Sequence, residues 1–456
     1  MDFRSRSAKI RHFIGIDRAI AYTLFSRGWQ FVASFGTVLL IAHFLSPIQQ
    51  GFYYTFISVL SLQVLFELGL TYVVLQFASH EYAHLNWTPL GTLQGDSTAK
   101  ARLNSLIRLA LKWYFVAAVF LIIVFVPAGL LFFGISPDAT STGIWKLPWA
   151  WLVLTTAASL LISPLFAVLE GCGLVADVAC FRLVQDLIAY PLFWLSLAVG
   201  AGLSACPLFQ TVRLLISIRW LLTHKRPFFM DLLRFRLPSV AIDWWREVWP
   251  MQWKIALSWI SSFFIFQLFN PVLFAHFGAA VAGRTGMSLA LTGAINTLAM
   301  AWISTKIPLF GQMIARRDYQ SLDRLFFLAL LQASLVALGS GIVLWGIVVA
   351  LYVWQVPLSQ RILEPLPFGL FLGVSVINVI VFSQAAYLRA HKEEPFLSIS
   401  IALAALNAVS IMWMARRFGV LGVAAGYFGL TLLVGLGAGT MVFVKKRREW
   451  NRCSVK

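Results

Sequence analysis

Twelve apolar segments follow one another along the chain, separated by short polar or basic stretches. Each approaches or exceeds the roughly 20 residues that an α-helix needs to cross the hydrocarbon core of a bilayer. A helix is the spanning structure that such a segment favours, because it pairs its own backbone groups away from water. The predicted spanning helices are approximately 19–43, 51–77, 111–134, 147–169, 183–203, 206–222, 249–275, 285–308, 325–352, 367–388, 396–415 and 420–444.

Composition points to lipid as the solvent of this chain. Of its 456 residues, 60% are hydrophobic and 12% are charged, whereas soluble domains carry about 25% charged residues. The formal net charge is +18, but the basic residues lie at the ends of apolar segments, so we expect no nucleic-acid partner. They follow the positive-inside rule, and part of the excess suits an anionic substrate or anionic lipid headgroups.

The distribution of lysine and arginine predicts an orientation. With the N-terminus inside, the cytoplasmic segments hold 28 of these residues and the outer segments hold five. This asymmetry predicts that the N- and C-termini are both cytoplasmic. The five outer basic residues are Lys146, Arg284, Arg361, Arg416 and Arg417.

Two long connections, 78–110 and 223–248, lie on the predicted cytoplasmic side. The second is basic and aromatic, which favours an amphipathic helix lying in the membrane interface. It divides the chain into an N-terminal six-helix bundle, 1–222, and a C-terminal six-helix bundle, 249–456. The predicted fold class is therefore an all-α integral membrane protein of about 12 transmembrane helices in two bundles, a common transporter plan.

A weak internal similarity between two segments supports the division into halves. The segment LSPIQQGFYYT joins predicted helices 1 and 2, and FGAAVAGRTGM joins helices 7 and 8. Each is predicted to turn on a glycine, Gly51 in the first and Gly283 in the second.

Four short motifs are distributed along most of the chain. An L-S-P-x-x-x-G-x-Y turn begins at Leu45, and an acidic residue, Glu67, precedes Leu-Gly-Leu at the end of helix 2. The other two are LEGCG at 169–173 and TKIPLFGQMIARRDYQSLDRLF at 305–326. Together they resemble the polysaccharide exporters of the O-antigen flippase type, a family of the multidrug, oligosaccharidyl-lipid and polysaccharide exporter superfamily. The resemblance implies twelve helices in two bundles, a central cavity and alternating access.

Polar residues form one face of each of the first two spans. Helix 1 carries Thr23, Arg27, Gln30, Ser34 and Thr37, and helix 2 carries Gln63, Glu67 and Thr71. Their spacings of three and four place each set on a single helix face, which should not contact lipid. One interpretation is a structural Arg27–Glu67 ion pair. The other is an anion-binding Arg27 with Glu67 as a proton or cation site.

The second half has its own polar set: Lys254, Ser258 and Ser261 on helix 7, Ser288, Thr292, Asn296 and Lys306 on helix 8, and Asn378 and Asn407 on helices 10 and 11. Small hydroxyl and amide residues also join helices together, and the lysines could reach the inner interface. A pyrophosphate that links lipid to sugar would bind arginine in a bidentate manner and lysine as a point charge. The candidate substrate-binding residues are Arg27, Gln30, Ser34, Glu67, Lys254, Asn296 and Lys306.

A zinc site is the alternative that one motif raises. HEYAH at 80–84 matches H-E-x-x-H, in which two histidines on one helix face bind zinc. The motif lies where helix 2 leaves the membrane and has no evident third ligand, so we expect a chance match. The four cysteines show no C-x-x-C spacing, so neither a disulfide framework nor a zinc ribbon is supported. We expect no metal and no cofactor.

These patterns predict a multi-pass transporter of the bacterial inner membrane rather than an enzyme. The predicted substrate is an undecaprenyl-pyrophosphate-linked oligosaccharide, flipped to the periplasmic leaflet in the biosynthesis of a polysaccharide such as the O-antigen of lipopolysaccharide. A coupling ion, H⁺ or Na⁺, is allowed by Glu67. Expected partners are the lipid-linked substrate, membrane lipids, a polysaccharide polymerase and glycosyltransferases. A cation-coupled multidrug extruder is the first alternative, and a zinc protease or a glycan polymerase or ligase is the second.

Overall fold

A computed structural model describes residues 18–135, 143–235, 242–391 and 395–453. The structure is 88% helical, and it confirms the predicted all-α membrane fold. Residues 1–17 and 236–241, which belong to the predicted cytoplasmic segments, lie outside the described residues, as does the side chain of Thr23.

The described α-helices are labelled here in chain order. They are α1 (Arg18–Phe44), α2 (Pro47–Leu60), α3 (Val64–Glu67), α4 (Leu70–Tyr82), α5 (Ser97–Gly134), α6 (Lys146–Gly171), α7 (Val175–Ala198), α8 (Ala205–His224), α9 (Arg226–Arg234), α10 (Trp249–Phe266), α11 (Phe269–Phe277), α12 (Ala279–Ser304), α13 (Ile307–Ala315), α14 (Tyr319–Val353), α15 (Pro365–Ala390), α16 (Leu397–Leu430) and α17 (Gly439–Cys453). Short 3₁₀ turns and two π-helical segments, Trp244–Val248 and Thr431–Ala438, join some of them.

Eight described helices are long and apolar enough to cross a membrane, or ten if two bent pairs each count as one span. The bends are 46° between Pro47–Glu67 and Leu70–Tyr82, and 41° between Trp244–Phe266 and Phe269–Phe277. A further interruption lies at Gly419 (φ 62°, ψ −151°), between the two last predicted helices. The number twelve and the cytoplasmic position of both termini stay predictions.

The connection predicted at 78–110 is largely folded. A two-stranded antiparallel sheet pairs β1 (Leu85–Trp87) with β2 (Leu93–Gly95). Helix α5 then begins at Ser97, well before the predicted start at residue 111. Apolarity alone could not locate this start, because the first turns of α5 are polar and are held by partners. Lys100 pairs with Asp231 at 2.8 Å, and Asn104 donates to the carbonyl of Phe235.

The segment predicted to lie in the membrane interface contains α9. Its apolar side chains Phe228, Phe229 and Leu232 are buried within the protein, and the Phe228 ring lies 5.0 Å from that of Trp87 beside β1. Arg102 of α5 contacts Glu247 at 2.5 Å, which fastens the end of the same segment. These three apolar side chains of α9 therefore pack on protein, and the position of the segment in the membrane interface stays a prediction.

The chain forms two compact units. The first comprises Met1–Gln30, Gln63–Leu131 and Ile144–Trp259, and the second comprises Phe31–Leu62, Phe132–Gly143 and Ile260–Lys456. These units group residues by contact and do not test the predicted division at 223–248, which stays a prediction.

Within the first unit, helices pack through small residues and stacked rings. Gly171 of α6 faces α4 so closely that an added Cβ would lie 2.7 Å from Ala78 Cβ. The rings of Phe166, Phe181 and Trp220 stack between α6, α7 and α8, with centroids 4.5 to 5.8 Å apart. These contacts hold α7 and α8 side by side, which places their polar groups together.

Within the second unit, Gly51 and Gly283, the glycines of the two similar segments, lie against each other. A Cβ on Gly51 would lie 1.9 Å from the Ala279 carbonyl oxygen, and one on Gly283 would lie 2.8 Å from the Gly51 nitrogen. Both glycines lie inside helices, Gly51 in α2 and Gly283 in α12, so the prediction that they form turns is wrong. Their function is close packing of the two helices, which any side chain would prevent.

Candidate functional site

A polar cluster lies where α1, α7 and α8 meet in the first unit. At its centre is Asp186, a carboxylate on the spanning helix α7 that is only 2% exposed. Its Oδ2 accepts a hydrogen bond of 2.9 Å from the Gln30 amide of α1. Its Oδ1 lies 3.4 Å from Arg213 Nη2 of α8, an ion pair without hydrogen-bond geometry. A charge inside a membrane span is expensive, so a buried acid with these partners marks a candidate site.

Aromatic rings surround this cluster on the same three helices. Trp29 of α1 lies 6.1 Å from Trp194 of α7, and Tyr190 lies 6.1 Å from Trp194. Tyr190 also lies 5.1 Å from Phe209 of α8. Arg213 extends over the Phe209 ring at 5.6 Å, a cation–π contact. The rings of Trp29, Trp194, Tyr190 and Phe209 are all half-buried, so part of each ring remains accessible to a ligand.

Arg27 lies one turn before Gln30 on the same face of α1. Its side chain is exposed, and among the described residues it forms no ion pair with Glu67. Helix α1 is predicted to cross the membrane, where an exposed guanidinium is stable only if it faces water, a headgroup or an anionic ligand. The interpretation of Arg27 as a structural partner of Glu67 therefore has no support in the geometry, whereas its anion-binding role stays a prediction.

Glu67 occupies a break in the second predicted span. Helix α3 ends at Glu67, and Leu68 (φ 48°) and Gly69 (φ 65°) adopt left-handed backbone conformations before α4 begins. Glycine is favoured at position 69 for two reasons. Its φ is positive, and a Cβ there would lie 2.4 Å from the Ile255 side chain. Broken spans of this kind build ion sites in many transporters.

The carboxylate of Glu67 accepts hydrogen bonds from two neutral hydroxyls. Thr71 Oγ1 of α4 donates to Oε1, and Tyr114 of α5 donates to the same oxygen over 3.2 Å. In the described part of the chain, Glu67 has no cationic partner. The role of Glu67 as a proton or cation site stays a prediction.

The other predicted site residues are distributed between the units. Lys254 is exposed in the first unit, with Nζ 5.9 Å from the Trp253 ring. Ser34 and Lys306 are half-buried in the second. Asn296, also in the second, has a buried Oδ1 without a hydrogen-bond partner in the structure as described. Their part in substrate binding stays a prediction.

Asp186 and Arg213 are the members of the site that sequence reasoning missed. Arg213 was counted among the 28 lysines and arginines of the predicted cytoplasmic segments, but it lies well inside α8, which continues to His224. The available signal was one acidic residue, Asp186, in the predicted span 183–203, and two arginines, Arg213 and Arg219, in the next predicted span, 206–222. Opposite charges at such positions often pair across neighbouring helices.

The HEYAH motif does not form the helical face that a zinc site needs. Helix α4 ends at Tyr82, so His80 lies in its last turn and His84 lies beyond it. Glu81 is paired with Arg102 at 2.8 Å. Across the described residues, no group of three or more His, Cys, Asp or Glu side chains is arranged to hold a metal ion.

No model of a protein family matches the chain, and no curated protein matches it. Solved structures do match over nearly the whole length. One is the MATE multidrug transporter DinF-BH in complex with R6G, at 13% identity, with a TM-score of 0.62 and coverage of 94% of this chain and 95% of that chain. Another is the lipid II flippase MurJ in an inward closed conformation, at 13% identity, with a TM-score of 0.60 and coverage of 96% and 90%.

A third match is a transporter of the MOP superfamily from Pyrococcus furiosus, at 13% identity, with a TM-score of 0.53 and coverage of 96% and 96%. At these identities the comparison establishes the fold: the chain has the all-helical architecture of MOP-superfamily membrane transporters. The predicted resemblance is thus confirmed for the fold, whereas the superfamily and the transport function remain proposals.

Proposed function

We propose that this protein flips an anionic, lipid-linked oligosaccharide from the cytoplasmic to the periplasmic leaflet of the bacterial inner membrane by alternating access. The observation that carries the proposal is the cluster on α1, α7 and α8, in which Arg213 and Gln30 accompany a single buried acid, with the exposed Arg27 one turn before Gln30 on α1. The proposed substrate carries an undecaprenyl pyrophosphate, and the product feeds cell-surface polysaccharide synthesis.

The charge balance of the cluster favours an anion. Asp186 offsets one of the two guanidinium groups, so the cluster of these three residues retains a positive charge. Arginine binds the oxygens of a phosphate through paired N–H donors. A pyrophosphate presents several such oxygens, and it would reach both arginines from the exposed side of Arg27.

The neighbouring rings suit the sugar. The half-buried faces of Trp29, Tyr190 and Trp194 offer apolar area next to polar groups, which matches the mixed surface of a pyranose ring. Gln30 supplies an amide beside them. One solved structure with this fold is a lipid II flippase, so the proposal is compatible with the architecture.

A cation-coupled multidrug extruder is the second candidate, because Glu67 at the broken span offers a carboxylate to a cation. Cationic drugs would be repelled by Arg27 and by the net positive charge of the cluster. Glu67 fits better as the coupling site for H⁺ or Na⁺ in the proposed flippase. The polymerase and glycosyltransferases that make and use the glycan are the proposed partners.

The test is the display of the surface glycan in the native host, normalised to the amount of protein in the membrane. Arg27→Ala should abolish display at normal abundance, and Arg27→Lys should retain part of it because the charge remains. Arg416→Ala, which removes a charge at a predicted outer position, is the matched control and should export normally.

The double variant Arg27→Ala/Glu67→Ala separates the alternatives. We expect it to be present at normal levels without export. An active double variant would refute the phosphate-binding role of Arg27. Drug resistance that depends on Glu67, together with normal glycan display in Arg27→Ala, would favour the extruder.

A further inference from the structure

A cavity of about 400 Å³ lies within the second unit, at the N-terminal ends of α2 and α12. Its size is within the range of pockets that hold small molecules. The connection between α14 and α15 forms the remaining wall. The lining residues include Gln50, Arg284, Tyr352, Gln360, Arg361 and Glu364.

The walls of this cavity are firmly built. Gln50, only 1% exposed, donates from Nε2 to the carbonyl of Gly283 at 2.9 Å and to that of Arg361 at 3.0 Å. Tyr352 donates to the carbonyl of Ile362 at 2.9 Å. The connection after α14 is therefore held on both α2 and α12, and the shape of the cavity does not depend on a loose loop.

Two arginines from distant parts of the chain line the same space. Arg284 comes from the second turn of α12, and Arg361 comes from the connection before α15. Glu364 also lines the cavity, but among the described residues it forms no ion pair with either arginine. The three groups leave a net positive charge, which the N-terminal ends of α2 and α12 reinforce.

The predicted topology makes it notable that Arg284 and Arg361 line the same cavity. Only five lysines and arginines are predicted on the outer side, because the positive-inside rule removes them from it. Two of these five line one cavity. Burial lowers the pKa of the Arg361 guanidinium, and an anion placed beside it would stabilise its charged form.

We propose that this cavity binds a phosphate group, carried either by a sugar phosphate or by the headgroup of an outer-leaflet lipid. Arg284 and Arg361 hold the phosphate oxygens, while Gln360 and Tyr352 face the group attached to it. The site goes beyond the proposed function, since it lies in the other unit and its occupancy can be measured without transport.

The test uses the full-length protein purified in neutral nanodiscs of phosphatidylcholine and titrated by calorimetry. The probes are glucose 1-phosphate, with glucose as its neutral control, and dihexanoyl phosphatidylglycerol, with dihexanoyl phosphatidylcholine as its control. At least one phosphate-bearing anionic probe should bind. Arg284→Gln and Arg361→Gln should each weaken that binding tenfold or more, and Arg416→Gln, which removes an outer charge outside the cavity, should not.

Binding of the sugar phosphate identifies a soluble ligand, and binding of phosphatidylglycerol alone identifies a lipid headgroup. Arg284→Gln decides the matter if Arg361→Gln disturbs folding, because the Arg284 side chain makes no hydrogen bond or ion pair within the described ranges. Absence of binding by both anionic probes, or equal binding in wild type and Arg284→Gln, would overturn the proposal. Loss of binding here with normal glycan export would leave the flippase function standing.

Discussion

Asp186 in the first unit and Asp323 in the second are both paired with an arginine, but the two pairs use the guanidinium differently. Arg447 binds Asp323 in a bidentate manner: Nε donates to Oδ1 at 2.9 Å, and Nη2 donates to Oδ2 at 2.6 Å. Tyr387 donates to the same carboxylate at 2.9 Å, and Arg447 also packs on the Phe327 ring at 4.9 Å. The carboxylate of Asp323 therefore has hydrogen-bond donors on both of its oxygens, all of them from the protein.

The pair in the first unit is incomplete by comparison. Arg213 approaches Asp186 at a single distance of 3.4 Å, and the hydrogen bond to the acid comes from Gln30 instead. A guanidinium has five N–H donors, and in the described part of the chain those of Arg213 make no hydrogen bond. The difference indicates that the Asp323 pair joins helices, whereas the Asp186 pair positions an arginine whose donors remain available to a ligand.

The largest effect should follow from breaking the incomplete pair. Arg213→Ala leaves Asp186 unpaired and only 2% exposed, which should destabilise the protein by roughly 3–5 kcal/mol. We expect low membrane abundance and no surface glycan. Abundance and glycan display would be measured on the same membranes.

Neutralising both partners separates stability from function in this pair. Asp186→Asn/Arg213→Gln should restore abundance, because no buried charge remains, but export should stay absent. Normal export by this double variant would show that Arg213 is structural. The Asp186–Arg213 pair would then not differ in function from the Asp323–Arg447 pair.

A smaller effect is expected at the complete pair. Asp323 and Arg447 have side chains that are 15% and 31% exposed, so water screens part of the loss. Arg447→Gln should lower the free energy of unfolding by roughly 1–2 kcal/mol, measured by thermal unfolding in detergent. Export per molecule should be unchanged in Arg447→Gln and in Asp323→Asn/Arg447→Gln. A defect in export at full abundance would indicate that this pair also acts in transport.

Apolar runs were enough to place most helices but not their polar extensions. The prediction 147–169 lies within one turn of the observed Lys146–Gly171, and 367–388 lies within one turn of Pro365–Ala390. Helix α5 was predicted too short because its first turns are stabilised by tertiary ion pairs such as Lys100–Asp231, which hydropathy does not report. The close approach of Ile255 to Gly69 is likewise a contact between distant residues, which no local pattern reports.

The candidate site could be predicted only in part. Arg27, Gln30 and Glu67 were found because helical spacing places them on faces of two spans. Asp186 and Arg213 were missed because neither belongs to a polar helix face that spacing alone reveals, and their relation exists only once α7 and α8 are packed together. The cavity between α2, α12 and the connection before α15 also joins residues that no local pattern links.

Binding of undecaprenyl pyrophosphate to the purified protein tests the central claim most directly, with undecaprenol as the probe that lacks phosphate. Wild type and Asp323→Asn/Arg447→Gln should bind the pyrophosphate equally, while Asp186→Asn/Arg213→Gln and Arg27→Gln should bind it at least tenfold more weakly. Undecaprenol should bind all four proteins alike. Equal affinity for the pyrophosphate in all four proteins would contradict the claim that the arginines of the α1, α7 and α8 cluster hold the phosphates of the substrate.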